Sequence, residues 1–159
     1  MVLYKINFLS IFILIDTKNR WLIKDIFAIQ KNIMNKQIIN TKNAPAPIGP
    51  YNQAIKTGNL LFVSGQIAMV SATGEFANET IELEAHQVMK NLQVILFEAG
   101  MDFTNIVKTT IFLSDMSLFA AVNEVYASYF DGGFPARETV AVKGLPKNAN
   151  VEISVIAAV

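Results

Sequence analysis

The run Val151–Val159, VEISVIAAV, limits the possible folds more than any other part of the sequence. Only Glu152 and Ser154 interrupt its apolar character, and a strand that is apolar on both faces is normally buried on both. The run therefore predicts a strand in the middle of a sheet. Patterns of β-branched and apolar residues predict five further strands: Lys36–Asn40 at an edge, Tyr51–Lys56, Asn59–Ser64, Val107–Leu113 and Arg137–Val142.

Two segments have the apolar spacing of helices. Thr80–Ala99 has one apolar face, Thr80 as N-cap, Glu82 and Glu84 in the first turn near the positive end of the helix dipole, and Gly100 after its end.

The second predicted helix begins at Asp115 or Ser117 and runs to about Phe130. Its spacing places four residues inward: Phe119, Val122, Tyr126 and Tyr129.

The predicted order β-β-β-α-β-α-β-β has too few helices to cover both faces of a sheet. It indicates an α+β fold, a mixed sheet with two helices on one face. The other face would expose Val, Ile and Phe side chains, a patch too large for a monomer. Self-association is the simplest way to bury this face.

Charge and composition exclude several functions. Residues 34–159 carry eight Lys and Arg against eleven acids, so a nucleic-acid partner is not expected. There is no cysteine and one histidine, His86, which excludes disulfides, thiol nucleophiles and a multi-histidine metal site within one chain. We interpret His86 as a surface residue of the first helix.

Residues 1–33 differ from the rest in their Ile- and Phe-rich composition. The apolar stretch Ile6–Ile15 is half the length of about twenty residues that a membrane span needs. We interpret residues 1–33 as read-through from upstream codons or an added segment, with a domain over residues 34–159. A targeting or anchoring segment and a part of the fold are the alternatives. We expect a cytoplasmic protein without stable membrane association.

Arg137 is one of two arginines in the chain and lies in FPARETV, just behind Pro135 at the start of a predicted strand. A guanidinium on a stiff backbone can hold a carboxylate through two parallel hydrogen bonds. The alternative is an exposed arginine, or one paired with Glu138, Asp131 or Glu152.

Four other polar positions are candidates for a site, each with a plainer alternative. Ser64-Gly65 follows an apolar strand, and its glycine permits close approach of a ligand; it is otherwise a simple strand end. Tyr51 is otherwise a packed aromatic, Asn123 a surface amide of the second helix, and Glu152 a solvated carboxylate.

Five stretches together resemble the reactive intermediate deaminase family, RidA, also called YjgF. They are IGPYNQAI (Ile48–Ile55), LLFVSGQIA (Leu60–Ala68), NIVKTTIFLSDM (Asn105–Met116), FAAVNEVYASYF (Phe119–Phe130) and PARETVAVKGLPKNANVEISVIA (Pro135–Ala157). The resemblance runs from about Met34 to Val159. It implies a chorismate-mutase-like fold assembled as a homotrimer, with active sites in clefts between subunits.

The resemblance also implies an activity. Relatives hydrolyse reactive enamine and imine acids, 2-aminoacrylate and its four-carbon homologue (2-iminopropanoate and 2-iminobutanoate), to 2-keto acids and ammonia, without a cofactor or metal. Arg137 would grip the substrate carboxylate. Glu152 would activate the attacking water and later pass a proton to the leaving ammonia, and Tyr51 from a neighbouring subunit would close the pocket. The remaining implied substrate-binding residues are Ser64, Gly65, Asn123 and the backbone of Thr139.

Two features depart from this pattern. The link Asp131-Gly132-Gly133 is shorter than in several relatives, which bears on the depth of the pocket. Arg137 is followed by Glu138, whose charge would oppose an acidic substrate if it faced the site. Strand alternation points Glu138 away from Arg137, so we expect it to lie outside the site. The alternative function is a non-catalytic small-acid-binding, chaperone-like or translation-inhibiting relative. A ribonuclease is less compatible with the acidic domain.

Overall fold

A computed structural model of the chain describes residues 35–159, so the interpretations of residues 1–33 lie outside the described residues. Six strands and two α-helices occur in the described range. They are β1 (Gln37–Ile39), β2 (Ala54–Thr57), β3 (Leu60–Gln66), α1 (Ile81–Glu98), β4 (Ile106–Leu113), α2 (Phe119–Ala127), β5 (Ala136–Ala141) and β6 (Val151–Ala158). This order is the predicted one.

The strands form one mixed sheet in the order β1-β2-β3-β6-β4-β5. Only β4 and β5 run parallel, with α2 as their crossover; the other neighbours are antiparallel. Strand β6 lies between β3 and β4, which confirms the central position predicted from its apolar run. Its alternate residues Val151, Ile153, Val155 and Ala157 are buried beneath the helices.

Helix α1 covers the sheet over β3 and β6 and packs against α2. Its ends are those that the sequence predicts. The hydroxyl of Thr80 accepts a hydrogen bond from the backbone N–H of Leu83, and Gly100 follows the helix with a φ of +74°. The side chains of Leu92, Ile95 and Leu96 are fully buried, so α1 supplies much of the core.

The prediction for the second helix is wrong in its length and in part of its buried face. Asp115 caps a 3-10 turn, Met116–Leu118, and α2 ends at Ala127, three residues before Phe130. Phe119 is 37% exposed rather than inward. At the end of α2, the backbone N–H of Ser128 is shared between the carbonyls of Glu124 and Val125, a bifurcated hydrogen bond that is common at helix ends.

Tyr129 therefore lies beyond the helix, and its position changes the interpretation of His86. The tyrosine hydroxyl lies 3.0 Å from Nδ1 of His86, and the ring packs edge-on against Phe103. His86 is partly buried in this contact, so the prediction of a plain surface residue is wrong.

Glu84 makes a buried contact that the sequence does not predict. It lies in the first turn of α1, as predicted, and its side chain is fully buried. Its carboxylate accepts hydrogen bonds from the backbone N–H of Asn150 at 2.6 Å and from the Asn150 side-chain amide at 2.9 Å. The partner lies 66 residues away, so local helical spacing does not reveal it.

The sheet face opposite the helices carries an apolar row. Ile38, Ile55, Phe62 and Ile156 stand opposite one another in register across β1, β2, β3 and β6, and we call these four residues the open-face row. Ile38 is 53% exposed and Phe62 is 42% exposed. The predicted exposed apolar face is therefore present in the single chain.

In residues 35–159, neither helix is long and apolar enough to cross a membrane.

Candidate active site

Arg137 is the second residue of β5, and its side chain points to the helix side of the sheet. Its Nη2 donates to Oδ1 of Asn123 on α2 at 2.8 Å, and its guanidinium carbon lies 4.9 Å from the ring centre of Tyr126. These contacts replace the alternatives of an arginine that is exposed or paired with an acid. A guanidinium has five N–H donors, and Asn123 is its one hydrogen-bond partner in the described chain.

An open cleft of about 370 Å³ lies in front of this guanidinium; we call it the arginine cleft. It is lined by Asn123, Tyr126, Ala127, Phe134, Pro135 and Arg137. The hydroxyl of Tyr126 lies 3.0 Å from that of the buried Thr109, which fixes the ring. Burial raises the pKa of Tyr126, although the Thr109 hydrogen bond and the Arg137 charge oppose this. Tyr126 is therefore a neutral phenol, and the cleft is cationic.

A second cleft, of about 340 Å³, surrounds Glu152; we call it the glutamate cleft. It is lined by Ile48, Tyr51, Ser64, Gly65, Ile67, Pro146 and Glu152. The hydroxyl of Tyr51 accepts a hydrogen bond from the N–H of Ile48 at 3.3 Å, and the hydroxyl of Ser64 donates to the carbonyl of Asn52 at 2.7 Å. Burial raises the pKa of the Glu152 carboxyl. A carboxyl tuned in this direction is suited to proton transfer.

Gly65 shapes the glutamate cleft because it leaves room for the carboxyl group. It lies where the pairing of β3 with β6 is irregular, between Val63 and Gln66. A Cβ on this residue would lie 2.7 Å from Cδ and 2.9 Å from Cγ of Glu152. The close approach that the sequence allows at this glycine is thus taken up by the Glu152 side chain.

We therefore expect Gly65→Ala to displace the Glu152 carboxyl. The substitution should lower kcat for the reaction that the resemblance implies by about 10- to 100-fold, since a misplacement of about 1 Å can cost that much. Thermal unfolding should change little, because the displaced group is the end of a flexible side chain. Gly144→Ala is the matched control, since a Cβ there would have no neighbour within 4 Å. Equal steady-state rates for the two variants would contradict this role of Gly65.

The sheet separates the predicted site residues into two groups within one chain. Arg137 stands opposite Thr109 on the helix face, whereas Glu152 stands opposite Phe112 on the open face. Asn123 shares the arginine cleft, and three predicted residues share the glutamate cleft: Tyr51, Ser64 and Gly65. One chain therefore does not bring its arginine and its glutamate into the same cleft.

Thr139 lies on the same side of β5 as Arg137, two residues further along. Its hydroxyl is buried and has no hydrogen-bond partner among residues 35–159. It adds a polar atom to that strand but does not line either cleft.

Some residues that complete the two clefts are not evident from the sequence. Helical spacing predicts an inward position for Tyr126, but its ring also packs against the Arg137 guanidinium. The signal that could have found it is the β4–α2–β5 order, because the crossover helix between parallel strands must cover the strand that follows. Nothing local marks Pro146, which reaches the glutamate cleft from the loop before β6.

Comparisons with known proteins extend over both clefts. Residues 41–159 match the family described as Endoribonuclease L-PSP. The chain is 45% identical over 130 residues to "Reactive Intermediate Deaminase A, chloroplastic" of Arabidopsis thaliana, covering 82% of this chain and 70% of that protein. It is 44% identical over 122 residues to the 2-iminobutanoate/2-iminopropanoate deaminase of Mus musculus, covering 77% of this chain and 90% of that protein.

A solved structure gives the same picture of the fold. The crystal structure of E. coli TdcF with bound serine superposes with a TM-score of 0.75 at 38% sequence identity. The match covers 77% of this chain and 98% of that one. The six-stranded sheet with its two helices is thus shared with a protein crystallised with a small amino acid.

Proposed function

The chain belongs to the Endoribonuclease L-PSP family and, within it, to the reactive intermediate deaminases, and we propose that it hydrolyses small enamine and imine acids. The substrates are 2-aminoacrylate and its four-carbon homologue, as 2-iminopropanoate and 2-iminobutanoate, and the products are 2-keto acids and ammonia. The observation that carries this proposal is the Arg137 guanidinium, which Asn123 and Tyr126 hold in an open cleft.

Binding is the first task of the site. Arg137 pairs with the substrate carboxylate through two parallel hydrogen bonds. Asn123 occupies one side of the guanidinium and fixes the plane in which the carboxylate must lie. Because the substrate is already electrophilic at its imine carbon, holding it beside a water supplies much of the rate enhancement.

Proton transfer is the second task. Glu152 takes a proton from the water as its oxygen bonds to the carbon of the iminium form, which gives a neutral carbinolamine. The same carboxyl then gives this proton to the nitrogen. As the C–N bond breaks, the carbinolamine hydroxyl gives its proton to the Glu152 carboxylate, and the products are ammonia and a 2-keto acid. Burial brings the pKa of Glu152 closer to neutral pH, which suits a group that must both accept a proton from water and donate one to the nitrogen. The proposed reaction uses no cofactor or metal.

Both groups can act on one substrate if the site forms between subunits. We place the arginine cleft of one subunit against the glutamate cleft of its neighbour in a homotrimer. Tyr51 and Glu152 then come from the same subunit, since they share one cleft, and Arg137 comes from the other. The open-face rows of three subunits meet at the centre, in the chorismate-mutase-like arrangement. The exposed Phe62 supports this assembly, because such a patch is costly in water.

Phe62→Glu is expected to dissociate the assembly, because it places a charge in the middle of the open-face row. The variant should elute near the chain mass of 17.6 kDa, whereas the wild type should have about three times that mass by light scattering. Phe97→Glu is the control, since Phe97 is 82% exposed and lies on helix α1. A Phe62→Glu variant with wild-type mass would contradict the proposed interface.

A coupled assay tests the activity itself. A serine dehydratase generates 2-aminoacrylate, and pyruvate release is followed with and without this protein. The proposal requires faster release in its presence. An unchanged rate, with serine or pyruvate still binding to the chain in calorimetry, would instead indicate a small-acid-binding protein without this chemistry.

A further inference from the structure

Glu84 is a buried acid that the proposed reaction does not use. Its side chain is fully buried in α1, and one of its oxygens accepts the backbone N–H groups of both Asn150 and Val151, at 2.6 and 3.3 Å. Its other oxygen accepts the Asn150 side-chain amide at 2.9 Å. Three donors at the start of β6 thus converge on one carboxylate.

This convergence lies next to the glutamate cleft. Asn150 and Val151 directly precede Glu152, so whatever fixes their backbone also fixes the point from which the Glu152 side chain leaves. We infer that Glu84 is a positioning residue, which holds the start of β6 so that the Glu152 carboxyl lies across Gly65. The inference rests on the proposed function of Glu152.

A second element holds the same residue from the other side. Ser114, just after β4, donates its backbone N–H to the carbonyl of Asn150 at 2.9 Å and its hydroxyl to Oδ1 of Asn150 at 3.0 Å. Asn150 therefore uses its backbone N–H, its backbone carbonyl and both ends of its amide. Glu84 provides the link to α1, and Ser114 the link to β4.

The loop before Asn150 has a strained backbone, which the hydrogen bonds to Glu84 and Ser114 hold in place. Lys147 and Asn148 both have a φ of +56°, in the left-handed region, which asparagine tolerates but lysine rarely adopts. A strained segment persists only where its surroundings hold it in place. Pro146 of the same loop lines the glutamate cleft. Relaxation of the loop would therefore move both Pro146 and the start of β6.

Solvent access to Glu152 is the property that this link controls. Burial is the one cause that raises the pKa of this carboxyl. In the described part of the cleft the only other titratable group is the Tyr51 phenol, and the neighbouring strands face Glu152 with Gly65 and Phe112. A shift of the Glu152 pKa therefore reports on its hydration.

The test compares three substitutions at Glu84 in the full chain. Glu84→Ala removes the acceptors, and Glu84→Asp keeps the carboxyl group but is one methylene too short. Glu84→Gln keeps an acceptor oxygen for the two backbone N–H groups, and its NH2 group replaces the oxygen that faces the Asn150 side-chain amide. That amide can turn over to accept from the NH2 group, because the Ser114 hydroxyl beyond it can accept as well as donate. The carboxyl pKa of Glu152 is measured by carbon NMR of glutamate-labelled protein, with its signal assigned by its loss in Glu152→Gln. Glu82→Ala, an exposed residue of the same turn, is the control.

We expect the Glu152 pKa to fall toward that of an ordinary glutamate in Glu84→Ala and, by less, in Glu84→Asp. We expect kcat to fall about tenfold with KM nearly unchanged, because Arg137 is intact. Glu84→Gln and Glu82→Ala should resemble the wild type. If Glu84→Ala does not fold, the comparison of Glu84→Asp with Glu84→Gln decides.

An unchanged Glu152 pKa in folded Glu84→Asp or Glu84→Ala would overturn the inference, as would a loss of rate that matches only the unfolded fraction. The NMR measurement does not depend on turnover. A wild type that fails to hydrolyse 2-aminoacrylate would therefore refute the proposed function, whereas an unmoved pKa would refute the role of Glu84.

Discussion

Arg137→Ala is expected to lower kcat/KM for 2-aminoacrylate by roughly 30- to 5,000-fold, the equivalent of about 2–5 kcal/mol for a truncated charge pair. The guanidinium is the cationic group of its cleft, and the substrate carboxylate would lose its charged partner. Asn123 and Tyr126 would remain but cannot replace the charge. The measurement is pyruvate release in the coupled assay over a range of substrate concentrations.

Two further variants separate the geometry of Arg137 from its charge. Arg137→Lys keeps a cation but loses the planar pair of donors, so its rate should lie between those of the wild type and the alanine variant. Lys143→Ala removes an exposed cation shortly after β5 and should leave the rate unchanged. Wild-type kcat/KM in Arg137→Ala would end the carboxylate-clamp interpretation.

Glu152→Gln is the second substitution with a large expected effect. It keeps the size of the side chain but removes the acid–base group, and such groups contribute about 10²- to 10⁴-fold to rates. The loss should fall on kcat, with KM changed less, because Arg137 still binds the carboxylate. Light scattering should show the wild-type assembly.

The pH dependence gives an independent check of Glu152. The ionised carboxylate is the form that accepts the proton of water, so the wild-type rate should fall as the pH falls through its pKa. Burial raises that pKa, so this limb should lie above the ordinary value for glutamate, about 4.3. The limb should be absent from Glu152→Gln.

Glu138→Gln is the matched control for this change. Glu138 is an exposed acid of β5 that pairs with Lys108, and hydrogen bonds from Lys108 and Thr110 lower its pKa. It faces away from Arg137, as strand alternation predicts. If the acidic limb of the pH profile were lost in Glu138→Gln, the limb would belong to Glu138, and its assignment to Glu152 would be wrong.

The sequence predicted the elements of the fold well because the signals that define them are local. Thr80, the apolar face of α1 and Gly100 specify a helix within one stretch, and the apolar run of β6 needs a place inside a sheet wherever its neighbours lie. The end of α2 was harder to predict, because Tyr129 continues the apolar spacing of the helix. It leaves the helix to meet His86, 43 residues earlier.

The candidate site shows the same division between local and distant contacts. Arg137 and Glu152 could be identified from the sequence, because Arg137 lies in the stretch FPARETV and Glu152 lies in the apolar run VEISVIAAV. Their separation onto opposite faces depends on strand pairing, and the hydrogen bonds of Glu84 join residues 66 apart. Neither leaves a local pattern. The roles assigned to Arg137, Glu152, Tyr51, Ser64, Gly65, Asn123 and Thr139 remain predictions that the experiments above address.

The most direct test of the account mixes two variants that each have little activity. Arg137→Ala and Glu152→Gln chains are unfolded together, refolded at equal ratio and assayed for 2-aminoacrylate hydrolysis. If each site takes its arginine from one subunit and its glutamate from the next, random assembly restores about a quarter of the sites. The account predicts that about this fraction of wild-type activity returns, and none returns when the double variant replaces either partner. Mixed assemblies as inactive as the separate variants would contradict a site shared between subunits.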